Sequence, residues 1–392
     1  MQRIMDTSRL AFPAYILEEK RLRDNLQLIA SVRDQAEVKI LVAFKAFAMW
    51  KAFPWFREYG FEQTTASSVN EALLAVRRMG RRCHTYSPAY TDRDFPSLLQ
   101  CSEAVTFNSL SQLDHFLPQV RAYERQHGRH VSCGLRINPE YSEVETALYN
   151  PCAPGSRLGV TRSELGTLAE KWPDELEGLH FHTLCESDSY ALEKTLDAVE
   201  QHFGPCLSRV RWLNMGGGHL MTRKGYDTKH LTALLQRFKT KYPHLQLILE
   251  PGSAFTWQTG TLRAHVIDIV CRHGIQTALL DVSFACHMPD CLEMPYKPEI
   301  RGASHPDRLC YPYVYRMGGN SCLAGDWIGD WSFPQPLKTG DEIIFEDMIH
   351  YTTVKTHMFN GVSHPALVFE QENGQRVIWR EYGYEDYENR MD

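Results

Sequence analysis

Short apolar runs alternate with helix-length amphipathic stretches along the first two-thirds of the chain. The runs fall at 38–46, 63–67, 83–87, 104–108, 130–138, 178–184, 210–216 and 245–251. Bounded by turn residues, such runs predict buried strands. Between them, apolar residues recur at helical spacing over 68–79, 109–126, 163–172, 192–203 and 229–242, and several of these stretches open on a serine suited to capping. Strand–helix alternation predicts parallel strands joined by right-handed crossovers. Eight such units, with no dinucleotide-binding glycine fingerprint, favour a closed (β/α)8 TIM barrel over an open doubly wound sheet. After Phe255 the long helical patterns stop. Short β-type runs appear at 264–270, 277–281, 311–316, 342–345, 366–370 and 376–380, punctuated by Gly318-Gly319, Thr339-Gly340-Asp341 and Asn373-Gly374. They predict an antiparallel β domain. Residues 11–17 are also strand-like and precede the first helix, so they are assigned to that domain. The expected organisation is an α/β chain: a barrel over 18–255, and a β domain built from 1–17 plus 256–392.

Composition narrows the function. Apolar residues make up 43% and charged residues 23%, as in a well-cored globular protein. Lys and Arg number 42 against 48 Asp and Glu, a net charge of −6. That balance lacks the basic footprint of a nucleic-acid-binding protein and suits a small, cationic ligand. No apolar run is long enough to span a membrane, and residues 1–15 lack the pattern of an export signal. The 11 cysteines are odd in number and show no C-x-x-C pair. A reducing, cytoplasmic setting is expected.

Barrel active sites form at the carboxyl ends of the strands. The first predicted strand ends at Lys45, between Phe44 and Phe47. A poorly solvated amine there has a lowered pKa and a lone pair free for imine chemistry; the plainer reading is a lysine reaching out to solvent. The sixth ends in His180-Phe181-His182, two imidazoles on one face. They suit a metal pair, a group packed on a planar ligand, or interior histidines satisfied by neighbours. No third ligand follows at helical spacing, so no metal is expected. The seventh runs into Gly216-Gly217-Gly218, whose backbone can approach a phosphate closely or simply turn. The eighth ends at Glu250, which needs a cationic partner if buried: a pyridinium nitrogen, or a neighbouring Arg or Lys at the rim. An imine-forming lysine, a stacking imidazole, a glycine cradle and an acid, in that strand order, are the parts that hold pyridoxal phosphate.

The segments FKAFAMW (44–50), TTASS (64–68), HTYSPAY (84–90), RINPEYSEVET (136–146), YNPCAPGSRLG (149–159), GLHFHTLCES (178–187), LNMGGGH (213–219), LEPGSAF (249–255), CHMPDCLEMPY (286–296) and GGNSCLAGDW (318–327) carry a resemblance. The chain resembles the alanine-racemase-like, fold-type III pyridoxal phosphate decarboxylases, the group of ornithine and diaminopimelate decarboxylases. Within that group it is most similar to the carboxynorspermidine/carboxyspermidine decarboxylases of polyamine biosynthesis. The resemblance implies that Lys45 bonds the cofactor, His182 stacks on its ring, and Gly216, Gly217, Gly218 and Tyr351 bind its phosphate. It implies that Glu250 pairs with the ring nitrogen and that Cys322, contributed across a homodimer interface, donates a proton to the substrate. A carboxylated triamine substrate calls for carboxylates around its tail. Glu250 is committed to the cofactor, and Asp281, Asp290 and Asp326 are the further candidates. Three positions depart from the ornithine enzymes: Ser253 replaces a phosphate-binding arginine, Cys185 a serine, and Leu323 the acid after the catalytic cysteine. The last implies a substrate other than ornithine.

Overall fold

The computed structural model describes residues 12–166, 172–294 and 296–392. The chain divides into two compact units: Asn25–Phe255, and Thr256–Asp392 together with the N-terminal segment ending at Asp24.

The first unit is a parallel barrel. Its strands are β2 (Lys39–Ile40), β3 (Val42–Ala43), β4 (Thr64–Ala66), β5 (Cys83–Tyr86), β6 (Ser102–Phe107), β7 (Ser132–Arg136), β8 (Leu176–His180), β9 (Trp212–Asn214) and β10 (Gln246–Leu249). These are the eight predicted strands, the first of them broken at Leu41. Its leading half pairs with β10 and its trailing half with β4, so the broken strand forms the seam that closes the ring. Leu41 N donates to Leu249 O on one side, and Val42 N donates to Gln63 O on the other.

The interior is layered. Toward the amino ends of the strands, Lys39 Nζ lies 2.7 Å from Glu103 Oε1 and 2.9 Å from His84 Nε2, and the Gln63 amide also donates to Glu103. Above this ionic layer sits an apolar one of Leu41, Ala104, Trp212 and Ile248. The Trp212 indole fits because two facing positions carry no side chain: a Cβ at Gly178 or at Gly134 would collide with its rings. Its Nε1–H is satisfied by Ser132 Oγ at 2.9 Å. Helices surround the ring. Ser68 and Ser109 cap theirs as the sequence predicts. The helix expected over 192–203 runs over Ser189–Leu207, because Asp188 accepts from two backbone N–H groups and starts it early. The helix expected over 163–172 appears as Arg162–Leu165, and 167–171 lie outside the described residues.

The second unit is built on one sheet. In spatial order its strands are β14 (Trp327–Phe333), β13 (Tyr313–Gly318), β12 (Ile275–Leu280), β11 (Gly260–Arg272), β1 (Ala14–Glu18), β16 (Ala366–Glu370) and β17 (Arg376–Arg380), with β15 (Glu342–Glu346) also paired to β11. Most pairs are antiparallel; β1 with β16 and β12 with β13 are parallel. The N-terminal strand is thus a central member, and Ala14 and Ile16 pack with Ala366, Val368 and Ile378. Strand β14 has no counterpart in the apolar-run reading, because Gly329, Asp330 and Ser332 break up its apolar face. No helix among the described residues is long and apolar enough to cross a membrane.

Candidate active site

The barrel's upper layer brings together the predicted residues of the first unit. Lys45 follows β3 in a turn whose rings are buried: Phe44 stacks flat on Phe53 with centroids 5.2 Å apart, and Phe47 stacks on Phe56. The Lys45 side chain is exposed, but the protein packed around its base strips part of its hydration, and that desolvation pushes its pKa below the ordinary lysine value. Glu250 pulls it upward, Arg136 pushes it further down, and Glu71 pulls upward again. A less stable ammonium is a more available nucleophile.

His182 lies just beyond β8. Its Nδ1 accepts the Gly217 N–H at 2.6 Å, which places the ring proton on Nε2 and fixes the ring's orientation. Burial, with the nearby Lys45 and Arg136 charges, holds its pKa well below the usual imidazole range, so the ring is neutral. This contact explains part of the glycine run. A Cβ at Gly216 would strike Phe181 O and His182, and one at Gly217 would strike Glu250 O. Gly216 N donates to Asn214 Oδ1 and Gly217 N to His182. Of the three glycine N–H groups, Gly218's alone has no protein partner among the described residues. The cradle for a phosphate is therefore narrower than three consecutive glycines imply.

Glu250 is buried beyond the end of β10 and is held by Asn214, whose Nδ2 donates to Glu250 Oε1 at 2.7 Å. Asn214 thus braces both the acid and the glycine turn. It lies within the LNMGGGH string, but nothing in that string marks it beside the glycines. Arg136 was likewise passed over. The residue is 4% exposed, and its guanidinium lies 4.7 Å from the Tyr86 ring centroid and donates to His182 O at 3.2 Å. Tyr86 OH donates to Asn108 Oδ1. His180 is 3% exposed, sits 5.2 Å from the Tyr86 ring, and both its ring nitrogens lack a partner among the described residues. An unpartnered buried imidazole is a group that a bound water or ligand would satisfy.

The second unit carries the other predicted residues. Cys322 is exposed on the loop before β14. Tyr351 has φ 52 and ψ −48, a strained conformation of the kind held at functional sites. Asp281 accepts from His265 N and lies 2.9 Å from His265 Nδ1. Asp290 is paired with Lys355 Nζ at 2.6 Å. Asp326 is buried and accepts from Ala285 N, Ser321 N and Ser321 Oγ. The carboxylates named for a substrate tail thus already have partners within the protein.

An available lysine, a neutral oriented imidazole, a braced acid and a glycine turn fit a pyridoxal ring and its phosphate. The family model for "Pyridoxal-dependent decarboxylase, C-terminal sheet domain" matches residues 15–349. The chain belongs to the pyridoxal-dependent decarboxylases. The enzyme is a carboxy-lyase whose cofactor is pyridoxal phosphate. It is 48% identical to a carboxyaminopropylagmatine decarboxylase of Synechocystis sp., with 98% of this chain and 96% of the relative covered. It is 39% identical to a carboxynorspermidine/carboxyspermidine decarboxylase of Campylobacter jejuni, covering 97% and 98%. The crystal structure of carboxynorspermidine decarboxylase complexed with norspermidine, from Campylobacter jejuni, superposes with a TM-score of 0.86 at 38% identity, over 97% of this chain and all of the other. A diaminopimelate decarboxylase structure, at 18% identity and a TM-score of 0.79, shares the fold.

Proposed function

We propose that the enzyme decarboxylates a carboxyaminopropyl polyamine: an amino-acid head on an aminopropyl arm, with cationic nitrogens along the tail. Carboxynorspermidine and carboxyspermidine fit that description and yield norspermidine and spermidine. The observation that carries this reading is identity of 39–48% over nearly the full chain to relatives whose named substrates share that arm. A second reading, a tail ending in guanidine as in carboxyaminopropylagmatine, is favoured by the 48% relative. The methylene separating carboxynorspermidine from carboxyspermidine is worth only about 1–3 kcal/mol in an apolar pocket, whereas exchanging an amine for a guanidine changes the hydrogen-bond geometry.

The bound cofactor supplies an electron sink for the pair left behind when the carboxylate departs. The chain's residues supply the rest. Lys45 would hold the cofactor through its amine, which its lowered pKa keeps available. Glu250, braced by Asn214, would keep a proton on the ring nitrogen. His182, oriented by Gly217, would pack against the ring. Gly218 N–H and Tyr351 would take the phosphate. Cys322 donates the proton that replaces the carboxylate, from a second copy of the chain in a homodimer. Asp290 is the tail candidate whose carboxylate, among the described residues, is shared only with a lysine. The setting is the cytoplasm, which suits eleven free thiols.

The test is CO2 release by the purified enzyme from the three carboxyaminopropyl polyamines, diaminopimelate, ornithine and arginine. One or more of the first three is expected to exceed every amino acid in kcat/KM by at least about 100-fold. A preference for diaminopimelate, ornithine or arginine overturns the proposal.

A further inference from the structure

The loop that carries Cys322 is folded around one carboxylate. Asp326 is 5% exposed, and its Oδ2 accepts from Ser321 N at 3.0 Å and from Ser321 Oγ at 2.6 Å. Its Oδ1 accepts from Ala285 N at 3.0 Å. Its backbone carbonyl accepts from Gly319 N at 2.7 Å, and its own N–H donates to Leu323 O. Gly319 has no side chain because a Cβ there would run into the Asp326 carboxyl group. The loop is also tied outward, with Asn320 N donating to Val282 O. A second clamp closes on Cys322 itself. Its N–H donates to Asn360 Oδ1 at 2.9 Å, and Asn360 stands in a left-handed conformation, φ 56. The short helix Phe284–His287 joins the two clamps. Ala285 holds Asp326, while Cys286 O accepts from His357 N, three residues before Asn360.

We propose that Asp326 and Asn360 are positioning residues for Cys322, setting the direction from which its thiol delivers a proton, and that Asp326 does not bind the substrate's tail. This rests on the reading of Cys322 as proton donor. In the productive step the bond from Cα to the carboxyl carbon breaks and CO2 leaves. The Cys322 proton forms the new C–H bond, and water returns a proton to sulfur. If the proton goes instead to the carbon derived from the cofactor's aldehyde, hydrolysis yields pyridoxamine phosphate and an aldehyde, and the enzyme stops. The two carbons flank one nitrogen, so discrimination between them depends on where the sulfur stands. A shift of about 1 Å is enough to alter the outcome. Within its own chain the Cys322 thiol is exposed. Its direction comes from its backbone, and the backbone comes from these two side chains.

The experiment compares wild type, C322A, D326N and N360A holoenzymes on the best carboxylated polyamine, measuring pyridoxamine phosphate formed per CO2 released, and KM. Asp326→Asn keeps the shape but turns one accepting oxygen toward its donors as an NH2. Asn360→Ala removes the clamp on Cys322 without touching Asp326, so it serves if the first variant folds poorly. Both are expected to raise the abortive fraction by about tenfold or more, with KM changed by less than about threefold. Adding either to C322A is expected to raise it no further, since all act through one thiol. A rise in KM for D326N with the abortive fraction unchanged makes Asp326 a tail-binding residue and overturns the proposal. So does a rise in C322A without one in D326N or N360A. An unchanged fraction in C322A removes the proton-donor role, and the positioning role with it.

Discussion

Asn214 uses both ends of its amide: the NH2 group holds Glu250, and the oxygen receives Gly216 N–H. Replacing it with alanine leaves a buried carboxylate oxygen and a buried N–H unmatched, each worth about 1–3 kcal/mol. Asn214→Ala is therefore expected to weaken pyridoxal phosphate binding by at least about tenfold, measured by cofactor titration of the apoenzyme. Unchanged affinity refutes the bracing role. Lys45→Ala is expected to leave no pyridoxyl adduct after borohydride reduction; an adduct found elsewhere on the barrel contradicts the assignment. Lys45, His182 and Glu250 were legible in the sequence because strand ends have a known address in a barrel. Asn214, Arg136 and Tyr86 were not, since what they do depends on which strand faces them across the interior. The aspartates stand differently. Asp281, Asp290 and Asp326 were named for their charge, and local partners now account for much of that charge: His265, Lys355 and the Ser321 turn.

Strands in the barrel were readable because apolar runs bounded by turn residues have few other interpretations, and the broken first strand kept its pattern on both sides of Leu41. Strand β14 was not readable, because its glycine and polar positions are tolerated by neighbours and no local pattern reports them. The same cross-strand dependence makes Gly178 testable. Gly178→Ala drives a methyl into the Trp212 indole. The overpacking is expected to cost about 1–3 kcal/mol or more of stability. Trp212→Leu in the same chain is expected to recover part of the loss, because the colliding ring is gone. Denaturant unfolding of the two single variants and the double variant checks this; additive losses would mean that the two residues do not meet.

At the scale of the molecule, buried imidazoles tie stability to acidity. Burial pushes His219 down to about 4 and His287 down to about 3, and it also lowers His84 and His180. Unfolding returns each to about 6.5. Below that pH the unfolded chain binds protons that the folded chain refuses, so stability falls as pH drops from about 6.5 toward 4. His219 alone contributes on the order of 3 kcal/mol across that window. Glu103 acts lower down. Burial raises its pKa, but His84 and Lys39 outweigh burial and hold it at about 2; since His84 is itself kept mostly neutral, the Lys39 ammonium is the dependable part. Its stabilisation is present above about 4.5 and fades as pH falls toward 2. The unfolding midpoint of the apoenzyme is expected to drop steadily from pH 7 to pH 5; a flat profile would show that these rings are not kept neutral. The indole of Trp212 fills the space over two bare backbone positions and, with Leu41, Ala104 and Ile248, makes a greasy partition across the barrel. Apolar groups offer water no hydrogen-bond partners, which disfavours any wet path between the Glu103 cluster below and the Lys45 end above.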